Sequence, residues 1–479
     1  MSRLMVLIGW MFDILSLRGL SEPIFERYAS ANDAAYPVHR AIWRMILSGD
    51  TDKAEKAMEL AQVHWQRNRS PRIGRDLVNL YIRKKQYDKA FEVAGQMVED
   101  HPDSVWFRFL QADIAEFFIW DHEKALELYR AADPLCEKHP RRRYTLAILF
   151  KRLGRVYRDM GDVEGLEETL ERHFAIKPSN FRDKEFLELS RMRLNRGNRD
   201  GAKEVLESGF QASKRSVELR QVYERMGFGT PPPIPARQAK IPDMTGITKI
   251  PVRTRVFREG DDPVEAVKQY AGDKVRPGDV VTLSSCVAAI MEGRILMEGT
   301  APDSAIATFV GKLVARRHSV GGWEASAPMA NPLSVQAAVE EIGTLRLVVA
   351  AVIGGIGHFL GKSGWFYSIC GPQAGQIDDI LGALPPYDYY VIMGVSDPND
   401  LSNRMAHVLG EGVKAAIIDA NDLGIAWAVG YSDGADPQDI ERMMADNPAG
   451  NGEEQTPVVI VRRESQAKPV SVVAEESEH

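Results

Sequence analysis

Cysteine is nearly absent from this chain: 479 residues hold three, Cys136, Cys286 and Cys370. They are too few and too scattered for a disulfide framework, and none has a Cys or His neighbour at metal-ligand spacing, so a reducing compartment fits best. Equally missing are a Walker phosphate loop, zinc-ligand spacing and the nucleophile elbow of a serine hydrolase. The basic stretches lack the dense Lys/Arg runs with interleaved aromatics that nucleic acid requires, which excludes it as the expected partner. The opening MSRLMVLIGWMFDILSL is apolar but short, broken at Asp13, and followed by no small-x-small cleavage site. That argues against a signal peptide and against a membrane span. A helix docked on the protein is the favoured reading, peripheral membrane association through residues 4–17 is the alternative, and the cytoplasm is the expected setting.

What is present is the composition of a globular protein with more than one core, 44% hydrophobic and 27% charged. The length suggests about two to four domains. The net charge of −7 hides an asymmetry. Residues 1–240 carry 41 basic against 35 acidic side chains, and the remainder 19 against 32. Halves of opposite sign point to different partners, or to each other. The richest basic patches, at 67–75 and 141–158, read as solvated helix faces.

From residue 36 to 228 apolar positions recur at helical spacing, with no strand pattern. A turn followed by a small residue appears five times, ending at Ala54, Ala90, Ala125, around Gly165, and at Ala202. Two crossing helices need a small residue where they meet. This spacing is near the 34 residues of tetratricopeptide repeats, which the array resembles, best around Ala90 with Leu77, Tyr81 and Pro102 in matching places. The expected architecture is therefore multidomain α and α/β: an apolar segment over 1–30, a tetratricopeptide-like α-solenoid over 31–228, and a proline-rich linker over 229–246. A mixed α/β domain over 247–464 follows, then a disordered tail over 465–479. His64, Trp65, Trp106 and Trp120 read as core rather than contact residues.

In the second half, strands are expected at 250–257, 280–284, 345–353, 389–393, 415–418, 425–430 and 458–461. Helices are expected at 263–270, 304–317, 398–409 and 437–445. The glycines of VIGGIGHFLG imitate a dinucleotide loop, but GKSGWFYSICG after them reads as loop then strand, without the helix such a loop opens. KAAIIDANDLG (414–424) ends an apolar run in Asp419, Asn421 and Asp422, closed by Gly424. Oxygen ligands on a loop at a strand end suit a metal-phosphate site, while Asn and Asp equally make ordinary turns.

Four stretches occur in a shared order: GDVVTLSSCVAAIMEGR (278–294), KSGWFYSICG (362–371), IIDANDLG (417–424) and NPAGNGEEQTP (447–457). Together they resemble the gamma-glutamyl ligase family that extends the tail of coenzyme F-420, and more closely a divergent bacterial branch of it. The resemblance implies an amide ligase. A small-molecule or peptide carboxylate is activated by GTP, or ATP, as an acyl-phosphate, and glutamate or another amino acid displaces the phosphate. It further implies Mg2+ or Mn2+ bridging the phosphates and a homodimer through this domain. Asp419 and Asp422, with Asp378 or Asp379, are the expected metal ligands. Arg294, suited to a phosphate or carboxylate, and Lys362, a substrate contact, are the expected catalytic residues, and Glu292, Tyr367 and Asn421 would bind nucleotide or substrate. Cys286 and Ala289 stand where the family usually has Lys and Ser, and the Asp-Thr-Phe-Gly-Arg stretch of the coenzyme ligases is absent. The competing reading is therefore an inactive ligase-like domain on a scaffold that recruits a protein partner through its repeats.

Overall fold

A computed structural model describes residues 2–15, 17–29, 34–48, 50–176, 181–235, 244, 246–300, 332–359, 365–377, 383–421, 424–450 and 454–463. The chain divides into two compact units. One gathers Met1–Arg237, Leu296–Ile369 and Asp378–Val391, and the other Gln238–Ile295, Cys370–Ile377 and Ile392–His479. The second half of the chain thus feeds both units.

The first unit opens with α1 (Ser2–Ile14) and α2 (Arg18–Tyr28). Helical hairpins follow: α3 (Ala35–Leu47) with α4 (Thr51–Asn68), and α5 (Pro71–Arg83) with α6 (Tyr87–Asp100). Next come α7 (Val105–Ile114) with α8 (His122–Lys138), and α9 (Arg142–Met160) with α10 (Val163–Ile176). The last pair is α11 (Asp183–Asn195) with α12 (Arg199–Ala212), closed by α13 (Val217–Arg225).

The recurrent turn is a helix start. Asp50, Asp121, Asp162 and Asn198 each accept a backbone N–H from the first turn of the second helix of their hairpin. That satisfies amides which have no partner within the helix. Four residues after these caps, Ala125 and Ala202 are fully buried and Ala54 is half-buried; Ala90, four after Gln86, which makes no side-chain cap, is also fully buried. In the fourth hairpin Leu166 holds that position, its amide bonding Asp162, and Gly165 before it makes the room. A Cβ on Gly165 would lie 2.5 Å from the Tyr157 ring.

The two helices of each hairpin differ in surroundings. α5 is buried on every face, Arg72, Arg75, Asp76 and Asn79 included, and α9 is buried almost all round. Their partners keep a solvent side. A helix enclosed all round needs neighbours beyond its own hairpin. In this unit those neighbours are the helix Pro332–Ile342 and the stretch 383–391.

The second unit is built on a mixed sheet of β1 (Ile247–Val252), β2 (Val280–Ser284), β5 (Lys414–Ala420), β6 (Ala426–Tyr431) and β7 (Val458–Arg463), in the order β1-β7-β2-β5-β6. Only β2 and β5 run parallel. The short strands β3 (Ile295–Met297) and β4 (Tyr390–Ile392) pair separately. Alternate residues of β5 feed opposite faces, as the strand period of two requires. Ala416 and Ile418 pack with Ile440, Met443 and Met444 on one side, while Ala415 and Ile417 are buried on the other. Three flanking helices, Pro263–Ala271, Pro398–Leu409 and Pro437–Met444, each begin with proline behind an Asp cap, Asp262, Asp397 and Asp436. Proline suits the first helical position because its missing N–H had no partner there.

Two expectations fail. Residues 345–353 are helical, within Thr344–Phe359, and Trp365–Cys370 is helix rather than strand. The β-branched Val348, Val349 and Val352 favour a strand, but Leu347, Ala350, Gly354 and Gly357 recur at helical spacing. Gly354 and Gly357 pack against Phe366 and Trp365, and that packing overrides local propensity. The strand expected at 250–257 begins earlier and ends at Val252. The helix expected at 304–317 and the C-terminal tail lie outside the described residues.

Gly74 marks a tight crossing between helices of neighbouring hairpins. A Cβ there would sit 2.7 Å from the Trp65 ring and 3.0 Å from the Met97 sulfur, both buried. Gly74→Val is expected to destabilise the protein by about 1–3 kcal/mol in denaturant unfolding, the usual cost of overpacking.

Candidate functional site

The β5–β6 hairpin resolves the first candidate. The Asn421 N–H donates to the Ile425 carbonyl at 3.0 Å, and its side-chain oxygen accepts from the Ile425 N–H at 3.3 Å. Asn421 is thus used to close its own turn. Asp419 stands exposed near the end of β5 in register with Trp427, and partial desolvation raises its carboxyl above the ordinary range. Asp378, Asp379, Asp422 and Lys362 lie outside the described residues, and Tyr367 falls in the Trp365–Cys370 helix. Among the described residues no three His, Cys, Asp or Glu side chains gather as a metal site would need.

Glu292 and Arg294 do come together, as a brace. The Ser396 N–H and hydroxyl donate to the Glu292 carboxylate at 2.8 and 3.0 Å. Arg294 donates from Nε to the Gly394 carbonyl, accepts the Met393 N–H on its own carbonyl, and lies 4.0 Å from Glu292. Burial raises the Glu292 carboxyl, and the Ser396 bonds and Arg294 offset only part of that. These contacts hold the 393–396 stretch in place.

The densest built site lies elsewhere, on the first helices of the hairpins. Arg152 of α9 is fully buried. Its Nε and Nη2 donate to the two Asp113 oxygens of α7 at 2.7 and 3.1 Å, and Nη2 and Nη1 to those of Asp388 at 2.8 and 3.2 Å. The Pro386 carbonyl, just after the cis Pro385–Pro386 bond, accepts from Nη2 at 3.5 Å. Tyr389 stacks on Trp106 with centroids 5.9 Å apart, meets Phe109 edge-on, and lies under Arg152. Arg75 covers the Tyr390 ring at 5.1 Å. A single π-turn, Ala115–Ile119, follows α7 and carries Glu116, which pairs with Arg155 and lies 2.7 Å from the Tyr129 hydroxyl. Burial raises Asp113 despite Arg152. At Asp388 the same burial is outweighed by Arg152, and that carboxyl is held below its usual range.

A second cluster joins α3 and α5 to the Pro332–Ile342 helix. Arg72 donates to the buried Glu340 carboxylate, and Gln336 does so at 3.1 Å. His39 has Nδ1 at 2.8 Å from Asp76 and Nε2 at 3.2 Å from Arg72. Arg72 can only donate, so the arrangement has Nε2 accepting and Nδ1 donating to Asp76, and burial, then Arg72, lowers the His39 pKa. Nearer the array's middle, Arg141 pairs with Glu298 at 2.9 Å.

The basic patches read as solvated faces are corrected in part: Arg72, Arg75 and Arg152 are buried, while Arg67, Arg69 and Arg141 to Arg143 are exposed. The counter-charges of Arg72 and Arg152, Glu340 and Asp388, come from the acidic half, so charge asymmetry was the signal that could have found them. His64 and Trp65 are core as expected, Trp106 is both buried and a contact, and Trp120 is exposed.

No family model matches the chain, and no curated protein does. Solved structures with likeness to it include MamA from Desulfovibrio magneticus RS-1, 14% identical, with 38% of this chain and 97% of that one covered at a TM-score of 0.28. A thermophilic TPR protein of Thermus thermophilus is 17% identical, with 41% and 100% covered at 0.24. A tetratricopeptide repeat protein of Parabacteroides merdae ATCC 43184 is 14% identical, with 47% and 86% covered at 0.30. Scores this low carry no weight of their own; the resemblance to tetratricopeptide repeats stands on the hairpins, their caps and their spacing. None of these comparisons supports the F-420 ligase resemblance of the second half.

The His39–Glu340 cluster sets an acid-side dependence. His39 has its folded pKa below its ordinary 6.5, so the unfolded chain takes up the proton first and stability falls as pH drops below that value. Burial raises Glu340, but the Arg72 charge and the hydrogen bonds from Arg72 and Gln336 help hold it below its ordinary 4.5, so its contribution is present above that value and is lost as pH falls further. Melting temperature should therefore decline in two stages on acidification. His39→Gln should flatten the upper stage and Glu340→Gln the lower.

Proposed function

We propose that this protein is an interaction scaffold, a tetratricopeptide-like array that holds polypeptide against the first helices of its hairpins. One observation carries this reading: residues 386–390 are held on that face by a side-chain code. Arg152 takes the Asp388 carboxylate and the Pro386 carbonyl, Trp106 and Phe109 take Tyr389, and Arg75 takes Tyr390. A guanidinium fork for an acid, with flat aromatic walls beside it, suits an extended acidic–aromatic peptide. Repeat arrays present faces for such segments. The partner class is protein, and the chain's own second half is the resident occupant.

Amide ligation is the second reading, favoured by the exposed Asp419 near the end of β5. In that reading Asp419 and Asp422, with Asp378 or Asp379, would hold Mg2+ or Mn2+. The γ-phosphoryl group of GTP or ATP would pass to the acceptor carboxylate near Arg294 and Lys362, releasing GDP or ADP; glutamate or another amino acid would then displace the phosphate to form the amide, and the α/β part would pair as a homodimer. The hairpin role of Asn421 and the brace formed by Glu292 and Arg294 speak for structural uses of those three residues.

A peptide of residues 383–391, fluorescently labelled, separates the readings. Full-length Asp388→Ala/Tyr389→Ala protein, with helicity checked by circular dichroism, should bind it in trans. The wild type should bind it weakly, and a further Arg152→Met change should abolish binding. Absence of binding to the opened face would refute the scaffold reading. A nucleotide- and metal-dependent stabilisation of about 2.7 kcal/mol at a hundredfold excess over Kd, lost in Asp419→Ala, would favour the ligase.

A further inference from the structure

We propose that α1 and the Thr344–Phe359 helix form a face that seats in one leaflet of a lipid bilayer. Both helices belong to the helical unit and lie against each other. On α1, Leu4, Leu7, Met11 and Ile14 recur every three or four residues and are at least about half exposed, Leu7 by 66%. The inward side of the same helix carries Val6, Gly9 and Asp13. A Cβ on Gly9 would lie 2.8 Å from the Phe25 ring, and the buried Asp13 accepts from the Tyr36 hydroxyl at 2.8 Å.

The Thr344–Phe359 helix repeats this inversion. Leu345, Val348, Val349, Val352 and Ile356 face outward and are exposed. Inward lie Leu347 and Ala350, with Gly354 and Gly357 so close to Phe366 and Trp365 that an added Cβ would fall 2.8 Å from each side chain. After Arg346 the helix has no Asp, Glu, Lys or Arg, and Arg346 itself donates to the Ile369 carbonyl.

A row of large aliphatics outward, with Gly9, Asp13, Ala350, Gly354 and Gly357 among the inward residues, is the reverse of a helix whose polar face meets water. It is the arrangement of helices in lipid, where the surroundings are as apolar as leucine and packing relies on close approach through small residues. A second copy of the chain would call instead for a polar rim and interface cores rich in aromatics and arginine. Helices of 13 and 16 residues reach about 20 and 24 Å at 1.5 Å per residue, short of the roughly 30 Å hydrocarbon core. No helix among the described residues is long and apolar enough to cross a membrane. The pair therefore lies within one leaflet, its outward side chains among the acyl chains. This seating rests on the two helices and is independent of the scaffold reading.

Co-sedimentation of the full-length protein with vesicles tests it, using phosphatidylcholine alone and phosphatidylcholine mixed with phosphatidylglycerol. The wild type should pellet with both, with little dependence on salt. Leu7→Gln/Met11→Gln and Val352→Gln/Ile356→Gln should each lower partitioning about tenfold or more while keeping the wild-type melting temperature. Val163→Gln, an exposed apolar residue of α10, should behave as wild type. A wild type left in the supernatant with both vesicles overturns the proposal. So does a lipid-free dimer by light scattering that Leu7→Gln/Met11→Gln turns into a monomer, which would assign the face to a second copy.

Discussion

The helical unit depends on one buried cation. Arg152 has no exposed surface, and a guanidinium removed from water is tolerable only with its charge and donors met. It is met from two sides, by Asp113 of α7 and by Asp388 from a stretch well over two hundred residues later in the chain. Each carboxylate alone would leave part of the fork unsatisfied; together they fix the register of residues 383–391 on the array. The two acids respond differently, Asp388 pulled down by Arg152 and Asp113 pushed up by its burial, as expected when neighbouring carboxyls divide one cation.

The other contacts follow from that fixed register. With Asp388 anchored, Tyr389 reaches Trp106 and Phe109, and Tyr390 comes under Arg75. Further along, Glu340 meets Arg72 and His39. A repeat array ordinarily leaves its binding face to a partner. Here that face is part of the unit's own interior, which explains why α5 and α9 are enclosed on nearly every side. In the proposed scaffold role, a protein partner at this face would compete with residues 383–391.

Much of this fold is readable from local chemistry. The Asp and Asn caps and the small residues after them define the hairpin starts, and Asp-Pro pairs mark three helices of the second unit almost to the residue. The strands over 280–284, 414–420 and 426–431 announce themselves as short apolar runs between turns. Legibility ends where tertiary packing decides. Residues 345–353 carry strand formers, yet the glycines after them pack as a helix against Trp365 and Phe366. Arg72 and Arg152 look like surface charge because their partners lie far away in sequence. Asn421 has the same composition whether it binds a metal or closes a turn, and its bonds to Ile425 favour the turn. Of the candidate metal set, Asp378, Asp379 and Asp422 lie outside the described residues.

The central claim, that Arg152 and Asp388 lock the later chain onto the array, is tested most directly by a double-mutant cycle on unfolding free energy. Arg152→Gln, Asp388→Asn and the double variant would be compared with wild type in denaturant titrations. The account predicts a coupling of about 2 kcal/mol or more, with the double variant far less destabilised than the sum of the singles. Additivity within about 0.5 kcal/mol would show that the two residues do not interact, and would contradict it.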